Sequence, residues 1–176
     1  MEVPSQKEAV RILRNSGCSE QVINHCIAVS KLAKEIAQIC QKKGLKVDIR
    51  VVEIGGLLHD LGRARTHGIR HSVIGGEIAR SMGLSEPIIS IIERHVGAGI
   101  SKEEAKVLEI PERSYIPVTL EEKIVSYADK LIEGDRQVEI DETIGKFSRQ
   151  LGNDHPAIGR LRALHTFFSD ILKDSK

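Results

Sequence analysis

The sequence predicts an all-α fold, a compact single-domain helical bundle, on three observations. Capping signals recur ahead of apolar runs, glycines close those runs, and no segment alternates polar and apolar residues with a period of two. Ser5 with Glu8 forms a capping box that starts a helix over 5–15, which Gly17 stops. Ser19 caps a long helix over 19–43 that ends before Gly44, and Asp48 caps the next, over 49–61. Helices over 71–82 and 86–97 are divided by Gly83 and Ser85, and Ser101 with Glu104 opens a short one over 102–109. Pro111 and Pro117 exclude continuous helix over 110–118. Thr119 with Glu122 starts a helix over 120–133, and another over 141–151 closes at Gly152. Pro156 suits the first turn of the last helix, over 156–173. The domain is expected to span 1–176, with the helices over 141–173 packed on the rest and His165, Phe167 and Phe168 serving core packing.

A chain of 176 residues covers one core and is short for two. Its formal charge of +1 gives no global basic field, so long nucleic acid is not an expected partner. No apolar stretch approaches the roughly 20 residues that cross a bilayer, and no basic start precedes an apolar segment; the expectation is a soluble, cytoplasmic protein without a membrane partner. Cys18, Cys26 and Cys40 form no CxxC pair, and an odd count suits a reducing compartment. Composition does not speak to oligomeric state.

Polar residues on apolar faces carry the functional signal. His25 lies beside the stripe Val22, Cys26, Val29, Ala33 and Ile36, so it points at or near the core. Taken singly it reads as a buried neutral imidazole with one satisfied nitrogen. In "LLHDLGR" the leucines flank His59 and Asp60, and a buried ionised carboxylate costs several kcal/mol unless it is paired or metal-bound. Gly62 supplies a helix end at which both side chains can reach one point; a half-exposed pair is the plain alternative. Asp129 interrupts the stripe Ile124, Val125, Ala128, Leu131, Ile132, where a salt bridge to Lys123, Lys130 or an arginine would also account for it. His95 shares the face of Ile88, Ile91 and Ile92, and His71 opens its helix; each alone reads as a core or capping histidine. Together, these imidazoles and carboxylates in one helical core without a metal would carry a heavy desolvation penalty. Nitrogen and oxygen donors without thiolate suit one or two divalent ions among Fe, Mn, Co, Ni and Zn, with Mg possible.

The ordered set His25, His59-Asp60, His71, His95, Asp129 resembles the signature of the HD-domain metal-dependent phosphohydrolases, over about residues 20–136. "RHSVIGGEIARSMG", "IIERHVGAG" and "EKIVSYADKLIEGDR" are similar to the segments that carry the later ligands. The spacing and last motif resemble HD-type diadenosine tetraphosphate hydrolases, and the central motifs the HD module of ribonuclease Y. The resemblance implies an HD-type helical bundle, one ion held by His25, His59, Asp60 and Asp129, and a second held by Asp60, His71 and His95. Val96 stands where several relatives have a second histidine, and Leu61 and Arg63 depart from the frequent HD-I-G-K.

The implied activity is hydrolysis of a phosphoester or phosphoanhydride by metal-activated water, with His59, Asp60 and Arg63 in catalytic positions. The expected substrate is a small nucleotide, whether cyclic, mononucleotide or dinucleotide. The acid-free stretch from Leu61 to Gly76 nominates Arg63, Arg65 and Arg70 as phosphate contacts, alongside Lys130. Tyr127 is the better candidate base platform and Tyr115 the weaker, while His67 is a candidate for proton transfer. A non-catalytic, metal-stabilised module that binds a nucleotide or a partner protein is the alternative.

Overall fold

The computed structural model describes residues 3–173. Capping chemistry sets the helix starts as expected. Ser5, Ser101 and Thr119 each accept from the backbone amide three residues on, and the glutamate there accepts from the cap's own amide. The elements are α1 Gln6–Ser16, α2 Glu20–Lys42, α3 Ile49–Leu58, α4 His71–Ser81, α5 Glu86–Arg94, α6 Lys102–Val107, α7 Leu120–Lys130, α8 Ile140–Leu151 and α9 Pro156–Leu172. A 3-10 turn, Leu61–Ala64, follows α3. Replacing exposed Thr119 by alanine removes one reciprocal cap and is expected to cost about 1 kcal/mol in urea unfolding. An unchanged midpoint would show that the cap contributes nothing.

Helix α2 packs along α3 and α7, α3 also meets α5, and α4 packs on α5 and the 3-10 turn. Helix α9 lies across α2, α7 and α8. Ile23, Val29, Leu58, Ile88, Ile92 and Ile124 fill the centre and are fully buried. No described helix is long and apolar enough to cross a membrane.

Three helices end three residues earlier than the apolar pattern suggests, one of them α5, which stops at Arg94 rather than at 97, ahead of Gly97 at φ +60°. α3 stops at Leu58 rather than Leu61, since Asp60 leaves helical geometry at φ −97°, ψ 18°. α7 stops at Lys130 rather than Glu133 because a short antiparallel hairpin follows, β1 Ile132–Glu133 and β2 Arg136–Gln137. Gly134, at φ +64°, provides its turn, a conformation that a residue with a Cβ adopts only under strain. These breaks place His59 and Asp60, and the loop after Asp129, beside His25.

Candidate metal centre

All of the candidate ligands but His25, which lies within α2, sit where an element starts or ends. His59 directly follows α3, Asp60 precedes the 3-10 turn, His71 begins α4, His95 directly follows α5, Asp129 is in the last turn of α7 and His25 is in the second turn of α2. The close approach of α4 to the 3-10 turn depends on Gly62 and Gly75, where a Cβ on either would meet the other's backbone. His59, Asp60, His71 and His95 are all buried, and Asp129 and His25 keep 12% and 17% of their side chains exposed. The cluster therefore opens to solvent on the His25 and Asp129 side.

The four histidines share one arrangement. His25 Nδ1 donates to the Gly134 carbonyl at 2.7 Å, His59 to Gly56 at 2.7 Å, His71 to Gly68 at 2.8 Å and His95 to Ile92 at 2.7 Å. A carbonyl can only accept, so Nδ1 carries a proton in each ring, and the neutral tautomer this selects is the one whose Nε2 lone pair would point inward to a cation. A backbone anchor of this kind orients a metal-ligating imidazole and raises its basicity.

The inward atoms form two overlapping groups. His25 Nε2 and His59 Nε2 lie 3.0 and 3.4 Å from Asp129 Oδ1, and 4.0 and 3.8 Å from Asp60 Oδ2. Asp60 Oδ1 faces His71 Nε2 at 3.2 Å and His95 Nε2 at 3.5 Å, and those two nitrogens are 3.0 Å apart. His59 Nε2 and Asp60 Oδ1 are buried without a hydrogen-bond donor. Lone pairs at these separations repel unless positive charge lies among them, so the donor set fits a divalent cation. Within hydrogen-bond and ion-pair reach, Asp60 is the residue common to both groups.

Each carboxylate gives one oxygen to a cation, and in Asp60 that oxygen, Oδ2, also stays within 4.0 Å of His25 and His59. Arg63 Nε donates to Asp60 Oδ2 at 2.7 Å, and buried Lys130 pairs with Asp129 Oδ2. Burial raises both carboxyl pKa values, but the charges facing them win and hold both well below the usual range. His59, with His71 and His95, acts on Asp60, and Lys130, with His25 and His59, acts on Asp129. Burial pushes His95 down to about 4, toward neutral imidazole. At His59 burial acts the same way and is the largest single influence, yet the Asp60 charge, Cys26 and Asp129 together outweigh it and draw His59 well above its ordinary value. The field of the cluster favours positive charge at its centre.

Other residues expected at the site are placed differently. Arg63 and Lys130 are there, but as partners of the carboxylates, and Arg63 Nη1 also donates to the His67 carbonyl at 3.1 Å. Arg65 is directed to the end of α1, donating to the Ser16 carbonyl at 3.0 Å, so it is spent on packing there. Tyr127 is no open platform: its ring is buried and stacks on Phe168 with centroids 4.8 Å apart, and its hydroxyl pairs with His165 Nδ1 at 2.9 Å. Tyr115 is buried as well, against Val73, Ile100 and Ile110. Arg70 and His67 are exposed, and the Arg70 side chain makes no hydrogen bond or ion pair among the described residues. Phe168 does pack the core, whereas Phe167 stays 42% exposed. The carbonyls of Gly56, Gly68, Ile92 and Gly134, which orient the imidazoles, left no mark in side-chain patterning.

Residues 22–134 match the family model of the HD domain. An uncharacterised protein of Methanocaldococcus jannaschii is 52% identical over 167 residues, which cover 95% of this chain and 98% of that one. The tRNA (cytidine(56)-2'-O)-methyltransferase of Thermoplasma volcanium is 37% identical over 170 residues, 97% of this chain but 48% of the methyltransferase. This chain thus spans about half of that relative's length. Ribonuclease Y of Thermosipho melanesiensis is 36% identical over 123 residues, 69% of this chain and 20% of the ribonuclease. Among solved structures, the HD domain of the L. monocytogenes phosphodiesterase PgpH, crystallised with cyclic-di-AMP, superposes with a TM-score of 0.54. That likeness covers 93% of this chain and 96% of the other at 18% identity, and it is one of fold.

Proposed function

The chain belongs to the HD-domain family, and on that premise we propose that it is a metal-dependent phosphohydrolase acting on a small nucleotide. His25, His59, Asp60 and Asp129 would hold one divalent ion, and Asp60 with His71 and His95 would hold a second. The observation that carries this reading is the convergence of four backbone-anchored imidazoles on two carboxylates, with buried acceptors left without donors. Donors of this kind suit Fe, Mn, Co, Ni or Zn, with Mg a weaker fit.

Bound divalent ions supply acidified water and offset the charge that grows on a phosphoryl group. The chain's own residues prepare that chemistry. Arg63 and Lys130 each hold one carboxylate oxygen, which fixes the other toward the imidazoles. Arg70, exposed at the head of α4, is free to meet a phosphate, and His67, whose backbone carbonyl accepts from Arg63, is the candidate for proton exchange with solvent. A nucleotide substrate agrees with the cyclic-di-AMP bound by the PgpH HD domain, and diadenosine tetraphosphate falls in the same class.

Arg63→Ala is expected to lower kcat/KM about tenfold, the low end for residues that orient metal ligands. Arg65→Ala, at the foot of α1, is expected to stay within about twofold of wild type, as for surface substitutions away from a site. Equal losses in the two variants would contradict this division of labour. A screen of phosphomonoesters, phosphodiesters and nucleotides with Mn, Co, Ni, Fe and Mg tests the activity itself. Metal-dependent turnover of at least one nucleotide is the expected result.

The half-length match to a tRNA methyltransferase supports a second reading, a metal-stabilised module that binds a nucleotide or a partner protein without catalysis. Stoichiometric metal with no turnover in that screen would favour it.

A further inference from the structure

A cavity of about 370 Å³ lies between α6, α8, the start of α9 and the segment after α5, and its walls are overwhelmingly apolar. Ile69, Val96, Val107, Leu108, Phe147 and Leu151 line it. At the rim Val107 is 82% exposed, Leu108 40% and Leu151 44%, so several apolar side chains stand in water together around one concavity. Val96 adds to the apolar wall directly after His95.

The cavity adjoins the histidine and aspartate cluster along three connections. Ile69 is two residues before His71, and Val96 and Gly97 directly follow His95. At the head of α8, Thr143 Oγ1 donates to the Lys130 carbonyl at 2.7 Å, and Lys130 is the partner of Asp129. One turn further along α8, Phe147 reaches Gly97, where a Cβ would stand 3.9 Å from its ring. The same helix that rests on the metal-proximal lysine therefore carries an aromatic ring into the cavity.

We infer that this cavity holds the nucleobase of the nucleotide whose phosphate meets the cluster; the inference rests on the phosphohydrolase reading above. At about 370 Å³ it falls at the low end of small-molecule sites, which suits one nucleoside rather than a polymer. Phe147 supplies a stacking face, the aromatic platform that Tyr127 cannot offer. Arg160 and Glu104 also line the cavity, paired at 2.7 Å, and supply the polar edge beside the apolar wall.

Calorimetric titration of the Mn-loaded full chain with AMP and with ribose 5-phosphate tests this directly. AMP is expected to bind at least about tenfold more tightly, a preference of about 1.4 kcal/mol. Phe147→Ala and Val107→Asp are each expected to remove most of that preference and leave ribose 5-phosphate affinity unchanged; Val107 is too exposed for its replacement to upset folding. Equal affinities in wild type, or variants that weaken both ligands alike, would overturn the base pocket while leaving the phosphate site intact. If neither ligand binds yet generic phosphodiesters are hydrolysed, the pocket fails alone. If no phosphate ester binds or turns over, the phosphohydrolase reading fails with it.

Discussion

Asp60→Asn is expected to release the divalent metal and to reduce nucleotide hydrolysis by on the order of 100-fold or more, beyond the 10–100-fold of residues that only orient ligands. The carboxylate is 4% exposed, with Oδ2 on Arg63 and Oδ1 facing His71 and His95. An amide in its place has one donor and one acceptor end. If its NH2 faces Arg63, two donors oppose each other; if it faces inward, it occupies the lone pairs that would hold an ion. In the inward orientation the NH2 can donate to His71 Nε2, so the metal-free variant is expected to fold. Emission spectroscopy should find less than about a tenth of the wild-type metal, and added Mn should no longer raise Tm, a shift that scales with binding to the folded state. Full metal retention in the variant would remove Asp60 from the ligand set.

Gly62→Ala is expected to be the most damaging of the conservative changes to the scaffold. A Cβ there would lie inside van der Waals contact of the His71 carbonyl oxygen and 2.7 Å from the Gly75 nitrogen. Both are backbone atoms, so relief requires the 3-10 turn and α4 to separate, which also displaces His71 from Asp60. A loss of about 3 kcal/mol in urea unfolding is expected, the upper range for overpacking. Gly159→Ala in α9 is the control. No atom lies within 4 Å of its added Cβ, and the helix-interior glycine should become more stable by about 0.5–1 kcal/mol. Similar unfolding midpoints for the two variants would show that the close approach at Gly62 has no energetic weight.

The helices and the ligand-type residues were legible because both follow local rules. Capping boxes at Ser5, Ser101 and Thr119 announce helix starts, and His or Asp within an apolar stripe announces a buried polar group. The six ligand candidates do converge. The hairpin after α7 was not legible, because two-residue strands leave no alternation to read and Gly134 acts through a turn that closes on His25 from far along the chain. Tyr127 shows a different limit. Two residues before Asp129, it is turned by about 200° on the helix, so it faces α9 rather than the cluster. Charge alone did not separate Arg63 from Arg65: adjacent in sequence but for Ala64, one guanidinium holds Asp60 and the other closes α1. Buried Glu93, paired with Arg80 and Arg113, was likewise missed, since its partners come from separate segments.

Metal-dependent turnover separates a phosphohydrolase from a metal-stabilised binding module. Chelator-stripped protein and the same protein reconstituted with Mn are assayed side by side on a panel of cyclic, mono- and dinucleotides. No turnover is expected without metal, and restored hydrolysis of at least one nucleotide with it. Equal turnover before and after stripping, or none from fully metal-loaded protein on the whole panel, would contradict a metal-dependent phosphohydrolase.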